Sequence, residues 1–439
     1  MQISLTKHLY GGIMCINSRK VVAQMILKFS CSNHKSINKE VTYTAIAGKD
    51  NTFEEELKEY GKYRVLRSAV IYGANGSGKS NFLSGLAFMK ALVTNSIRHQ
   101  PGQGVYQAPH KLNSEKNPST YDIQFVKNDI RYAYGFSVQE NLIDEEYLYY
   151  FPNGRQVKIF ERKGMDISPG DKYKNAFELS LQALKNNRLF LSCTANYTDK
   201  EEIEDAFLFF EKDIVFYDPD VNNWTEYSIE LMQKNEEIKD IFLRILAAFK
   251  TGIKDINVRL KKIPTENMKL PLDMPEVLKT MIKSSKEANE IVAKLVYDKF
   301  ETDLLTEEST GIKKLFEIIC PIIEIINTGK ILVFDEIENG LHEAVVYEII
   351  KLFKYARKDQ FAQLIFSTHD TSLLNTNLFR RDQVWFTQLD EERATDLYSL
   401  VEVKNVRKTE NLEKGYMLGK YGAIPMLSHN IYDIFNSNS

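Results

Sequence analysis

From Met25 onward apolar and polar residues alternate. MILKFSCSNHKSINKEVTYTAI carries the period-two pattern of half-buried strands. The residues before it, MQISLTKHLYGGIMCINSRKVVAQ, have no clear period, so residues 1–24 read as an extension ahead of a domain that opens at Met25. Residues 52–62 (TFEEELKEYGK) form a polar excursion. Val65–Ile71 is an apolar run of strand length that enters a glycine-rich turn, and SNFLSGLAFMKAL beyond it has helical spacing. Residues 96–120, rich in Pro, Gly, Gln and Asn, predict a loop. Residues 121–161 alternate again around the turn signals KND and PNG, which predicts a small antiparallel sheet. The YLYYF run inside it reads as a core or interface strand rather than a platform for stacking bases.

Residues 175–300 are mostly helical in pattern, with short apolar strands such as DIVFYD. From Ile331 short apolar strands alternate with helices: ILVFD, EAVVYEIIKLFKYA, QLIFST, then a helix near Thr371–Leu378. That order predicts a parallel α/β arrangement. No repeat or sustained heptad marks a coiled-coil arm. The expected division is an N-terminal extension (1–24), an N-terminal lobe (25–174), a largely helical lobe (175–304) and a C-terminal lobe (305–439).

Composition narrows the class. The 439 residues are 43% hydrophobic, ample for a large core, and the net charge is −3. No global basic excess points to nucleic acid, although Arg259, Lys261, Lys262, Arg407, Lys408, Lys414 and Lys420 could touch phosphate; a solvated face is the commoner use. Cys15, Cys31, Cys193 and Cys320 lack the spacing of a zinc site or a disulfide framework. The most apolar region, LFEIICPIIEIINTGKILVF, is interrupted by polar residues and Pro321, so no membrane span is expected. With no signal-peptide pattern either, the expected location is the cytoplasm.

Chemistry concentrates in three places. GANGSGKS, Gly73 to Ser80, matches G-x-x-x-x-G-K-[ST] in full. Glycines at Gly73, Gly76 and Gly78 let backbone N–H groups turn inward around phosphate oxygens, with Asn75 and Ser77 between them. Lys79 would reach the β- and γ-phosphates, Ser80 would ligate Mg²⁺, and Asn81 follows in the helix. KILVFDE ends an apolar strand in two acids. Asp335 is expected to hold Mg²⁺ and Glu336 to act as general base on water. Alone, VFDE could equally be a strand entering an acidic turn. QLIFSTHD ends a further strand at His369, suited to contact the γ-phosphate and keep Glu336 in register; a lone histidine there could also be a simple cap.

Together GANGSGKS, ILVFDE and FSTHD resemble the ATP-binding heads of the SMC, Rad50, RecF and OLD group of ABC-class ATPases. MILKFSCSNHKS, with His34 at a usually aromatic position, the E-S-x-G-x-K-[KR]-L pattern at Glu308–Leu315, DEIENGLH and the C-terminal tail are similar to the prokaryotic AAA-15/AAA-21 type, of the abortive-infection, RloA and AriA kind. The resemblance implies an α/β fold: an ABC-type P-loop NTPase head of mixed sheet and helices with an inserted helical lobe. It implies ATP and Mg²⁺ as cofactors and self-association in which two heads sandwich ATP. Ser309 and Gly311 would then serve as a signature loop acting on the other head's γ-phosphate, although Thr310 departs from that pattern. Pro321 should kink the helix that follows. Asn339–His342 sits where a D-loop would cross between heads; the Q-loop glutamine is not placed, with Gln107 and Gln124 as candidates.

The role implied is a nucleotide-controlled switch in antiphage defence with a separate effector protein and a phage-derived trigger. The stretch after His369 is too short for a nuclease domain of the OLD type, and none is expected. The alternative is a RecF- or Rad50-like repair ATPase with DNA as partner; a transporter subunit is disfavoured by the long segment between Ser80 and Ser309.

Overall fold

The computed structural model describes residues 24–113, 117–265, 287–355, 361–407 and 410–424. The expected extension 1–24 therefore lies almost entirely outside the described residues. The chain divides into two compact units. The larger gathers the described parts of Asn17–Asp218, Thr328–Glu338 and Val346–Ser439, the smaller those of Pro219–Asn327 with Asn339–Val345.

In chain order the strands are β1 (Met25–Ser32), β2 (Val41–Thr44), β3 (Lys58–Tyr60), β4 (Tyr63–Val65), β5 (Ser68–Tyr72), β6 (Ser119–Lys127), β7 (Ile130–Gln139), β8 (Leu142–Phe151), β9 (Val157–Lys163), β10 (Asp166–Pro169), β11 (Ile214–Tyr217), β12 (Asp255–Pro264), β13 (Glu287–Val296), β14 (Glu301–Asp303), β15 (Ile331–Phe334), β16 (Gln363–Ser367), β17 (Val384–Leu389) and β18 (Thr395–Ser399).

Within the larger unit a seven-stranded antiparallel sheet runs β10-β9-β8-β7-β6-β1-β2. The alternation from residue 121 builds its centre. Asn128 and Asp129 between β6 and β7, and Glu140 and Asn141 between β7 and β8, all have positive φ, as a two-residue turn matched to strand twist requires. Aromatic rings fill the face: Phe125 stacks on Phe209 at 4.0 Å and on Tyr132 at 5.1 Å. YLYYF forms the end of β8, as expected.

The second sheet runs β11-β15-β16-β5-β17-β18. Its first five strands are parallel and β18 returns antiparallel. Strands β5, β15 and β16 are buried at every position, as a sheet covered on both faces demands. β5 sits between β16 and β17, strands from the far end of the chain, so the turns after β5, β15 and β16 open at one carboxyl edge. The helix Lys79–Asn95 packs against the seven-stranded sheet, with Phe82 5.6 Å from Phe29.

Residues 175–304, expected to be largely helical, are shared between the two units, with those through Asp218 in the larger and those from Pro219 in the smaller. Helices fill 178–183, 190–197, 201–208, 225–234 and 236–248, but β12, β13 and β14 then pair antiparallel. In DINVRLKKIP, Ile256, Val258 and Leu260 alternate with polar residues, and the charges mask a period of two. The helix Thr310–Thr328 carries Pro321 in its interior, where a kink is expected. Proline frees the carbonyl four residues back, and Ser228 Oγ donates to that carbonyl, Glu317 O, at 2.8 Å. The helix expected near Thr371–Leu378 shrinks to a 3₁₀ turn, Thr371–Leu373. Asp370 accepts from Ser372 N, and Asn375 from Asn377 N, so side chains compete for the backbone a helix would use.

One buried ion pair ties the larger unit together. Glu146 and Arg162, on β8 and β9, are fully shielded from solvent and 3.3 Å apart. Glu146 also accepts from Phe190 N (2.6 Å) and Leu191 N (2.9 Å), the free amides that open the helix Phe190–Tyr197. Glu146→Ala strands a buried guanidinium and two helix amides. It should destabilise the protein by about 3–5 kcal/mol in urea unfolding, and a loss below about 1 kcal/mol would contradict this account.

Candidate functional site at the carboxyl edge of the parallel sheet

β5 ends at Tyr72, the chain turns through Gly73–Gly78, and a helix begins at Lys79. Gly76 and Gly78 have φ of 76° and 105°, conformations that side chains resist. Gly73 and Gly78 also lack room: a Cβ would fall 2.4 Å from Thr387 Oγ1 at Gly73 and 2.0 Å from Thr395 Oγ1 at Gly78. The Lys79 ammonium donates to Gly73 O (2.8 Å) and Ala74 O (3.2 Å) and lies 3.4 Å from His369 Nδ1. Burial lowers its pKa to about 8, against the pull of Asp335, Glu336 and Glu338. An anion between these groups would restore the charged form.

β15 ends in the acids. Ser367, closing β16, donates its hydroxyl to Asp335 Oδ1 and accepts Glu336 N at 2.8 Å. Its carbonyl accepts Ile337 N at 3.2 Å. Three consecutive residues thus hang on one serine, and Glu336 is held at φ 50°, a left-handed conformation worth about 1–3 kcal/mol of strain for a non-glycine residue. His369 follows on the same edge. Lys79, which can only donate, faces Nδ1, so the imidazole proton sits on Nε2, 3.8 Å from Glu336 Oε1. Burial and Lys79 push the His369 pKa down, favouring this neutral form. Glu338 Oε1 accepts the His369 backbone N–H at 2.6 Å, while its Oε2 is buried without a hydrogen-bond partner.

The larger unit therefore assembles Lys79, Asp335, Glu336 and His369 on one edge, with Asn75, Gly76 and Ser80 exposed at the turn. Two expected phosphate residues face elsewhere: the Ser77 hydroxyl meets Thr387 Oγ1 at 2.6 Å, and the Asn81 amide donates to Ser36 Oγ at 2.7 Å. Ser309 and Gly311 belong to the smaller unit. Ser309 Oγ accepts Ile312 N at 3.4 Å ahead of the helix Thr310–Thr328, and a Cβ on Gly311 would lie 3.8 Å from Gly340 O, so the Ser309–Gly311 and Asn339–His342 segments are neighbours. Gln124 lies within β6, and Gln107 is buried with Oε1 unpartnered. Lys408 lies outside the described residues, and Lys420 pairs with Glu410.

Glu338 and Ser367 escaped the sequence reading. The acid-x-acid spacing of DEIE could have flagged Glu338. Ser367, two residues before His369, carries no signal without the fold.

Among the described residues no group of three or more His, Cys, Asp or Glu gathers as a metal cluster. The hydroxyl of Ser80 and the carboxylate of Asp335 suit Mg²⁺, which binds few protein oxygens and keeps its waters. No helix of the described residues is long and apolar enough to cross a membrane.

A family model, AAA_21, described as "AAA domain, putative AbiEii toxin, Type IV TA system", matches residues 68–375. No match was found among proteins of curated function. Solved structures similar to this chain include an SMC head bound to the C-terminal winged-helix domain of ScpA, at 16% identity and TM-score 0.41, covering 85% of this chain and 97% of that one. An SMC head from Thermotoga maritima aligns at 12% identity and TM-score 0.41, covering 85% and 98%. The Smc head of Pyrococcus furiosus with an extended coiled coil aligns at 16% and 0.38, covering 86% and 96%. The family match takes in the P-loop, both acids and His369, and spans well over half of the chain: the protein belongs to the AAA_21 family of P-loop ATPase domains.

Proposed function

We propose that this chain binds and hydrolyses ATP between two copies of itself and acts as a nucleotide-controlled switch in antiphage defence. The observation that carries the reading is the Lys79–His369–Glu336 series on one sheet edge. The amides of the Gly73–Ser80 turn and the Lys79 ammonium bind and orient the phosphates. Ser80 and Asp335 would hold Mg²⁺, which neutralises phosphate charge when bound. Glu336 accepts the proton of the attacking water. His369, neutral and protonated on Nε2, fixes the position of Glu336. Ser367 keeps Asp335 and Glu336 in a fixed relation, so base and metal ligand cannot drift apart.

Ser309 and the Gly311 amide of a second copy would complete the phosphate shell, which makes association depend on ATP. The family description, naming a toxin and a type IV TA system, supports a defence role; a separate partner protein as effector and a phage-derived trigger belong to the same proposal. Turnover insensitive to duplex DNA, with a neighbouring-gene protein copurifying, is the expected outcome. A large, salt-sensitive stimulation by DNA ends would move the reading to DNA repair.

Glu336→Gln should bind ATP normally and lower phosphate release at saturating ATP by roughly 10²–10⁴-fold. Normal turnover in this variant would remove Glu336 from the role of base. Ser309→Ala should lower turnover by about tenfold while ATP affinity of the monomer, measured at low protein concentration, stays unchanged. Weakened monomer binding would instead assign Ser309 to structure alone.

A further inference from the structure

The P-loop is braced from behind by hydroxyls that the scheme above does not use. Thr395, the first residue of β18, donates from Oγ1 to the Ser77 carbonyl at 3.0 Å, inside the protein. With that proton committed, the 2.7 Å contact between Ser36 Oγ and Thr395 Oγ1 is a donation from Ser36. Ser36 in turn accepts from Asn81 Nδ2 at 2.7 Å. The proton order runs Asn81, Ser36, Thr395, Ser77. It leaves the P-loop helix at Asn81 and returns to the P-loop at Ser77, closing a ring across three distant segments. A backbone bond, Thr395 N to Ser36 O at 2.7 Å, locks the two outer segments together.

The ring ends on a particular peptide. The Ser77 carbonyl and the Gly78 N–H belong to one planar trans unit and point in opposite directions. Pinning the carbonyl toward the hairpin aims the Gly78 N–H away from it, to the open face of the turn. Thr395 also occupies the space against Gly78, 2.0 Å from where a Cβ would stand, so the threonine side chain packs directly on the turn. We infer that Thr395 is a positioning residue of the phosphate cradle, aiming the Gly78 amide through the Ser77 carbonyl, with Ser36 and Asn81 completing the brace. The inference rests on the nucleotide reading above. Because the Gly78 amide would bind phosphate alike before and during reaction, loss of the brace weakens binding and spares the chemical step.

The test titrates a fluorescent ATP analogue, and measures steady-state phosphate release, on the full chain carrying Thr395→Val, Thr395→Ser or Ser36→Ala. Thr395→Val keeps the shape and removes the donor. It should raise the analogue's Kd and the KM for ATP by about tenfold, the scale of one buried hydrogen bond, with kcat within about twofold. Thr395→Ser restores the hydroxyl and should return both to near wild-type values. Ser36→Ala breaks the ring without disturbing the hairpin, should raise KM by severalfold, and carries the test if Thr395→Val does not fold. Unchanged affinity in Thr395→Val, or Thr395→Ser as weak as Thr395→Val, overturns the inference while the nucleotide reading stands. Absence of ATP binding by the unsubstituted chain overturns both.

Discussion

The pairing of β5 with β16 and β17 is the constraint on which the rest of the larger unit depends. Ser68–Ile71 align with Leu364–Ser367 on one side, and Val70–Tyr72 with Val384–Phe386 on the other. A shift of register on either side would carry His369 or Thr387 past the P-loop and move each side chain to the opposite face of the sheet. No polar atom of the edge has to find its partner independently: once the three strands are in register, Lys79 and His369 meet. The acids follow from one further pairing, β15 with β16, which brings Asp335 and Glu336 to Ser367.

Much of this was legible in the sequence. The glycine spacing of GANGSGKS is local, and local geometry needs no tertiary contact to be read. The same holds for strands that end in acids or in a histidine, because an apolar run of four or five residues has few other uses. Ser367, Glu338, Thr387 and Thr395 act through partners far away in sequence, and nothing beside them distinguishes a bracing hydroxyl from a surface one. Ser77 and Asn81 show the opposite error. They stand within the motif, yet their side chains serve the scaffold, and the Ser77 N–H is itself taken by Ala74 O at 3.1 Å.

Charge and local hydrogen bonding shaped what the pattern could show. In β12 the long charged side chains of Arg259, Lys261 and Lys262 hid a strand, since sequence charge reports exposure and not period. At Pro321 a distant hydroxyl, Ser228, satisfies the carbonyl that local rules leave orphaned. After His369, Asp370 and Asn375 bond to nearby amides and hold the chain in turns where apolar spacing alone suggested a helix. In the last two places a polar side chain acts on a backbone group, a contribution that hydrophobic patterning does not contain.

The order of strands in the parallel sheet has a consequence for how the protein is made. Its central strand, β5, is synthesised early, but both of its neighbours, β16 and β17, arrive near the end of the chain. At about 5–20 residues per second, the apolar β5 waits many seconds on or near the ribosome with both edges unpaired. The antiparallel strands β6 to β10 pair with their sequence neighbours and can form during that interval. The phosphate turn acquires its final shape only when the β17–β18 hairpin docks, so competence for nucleotide waits on a segment made long after the turn itself.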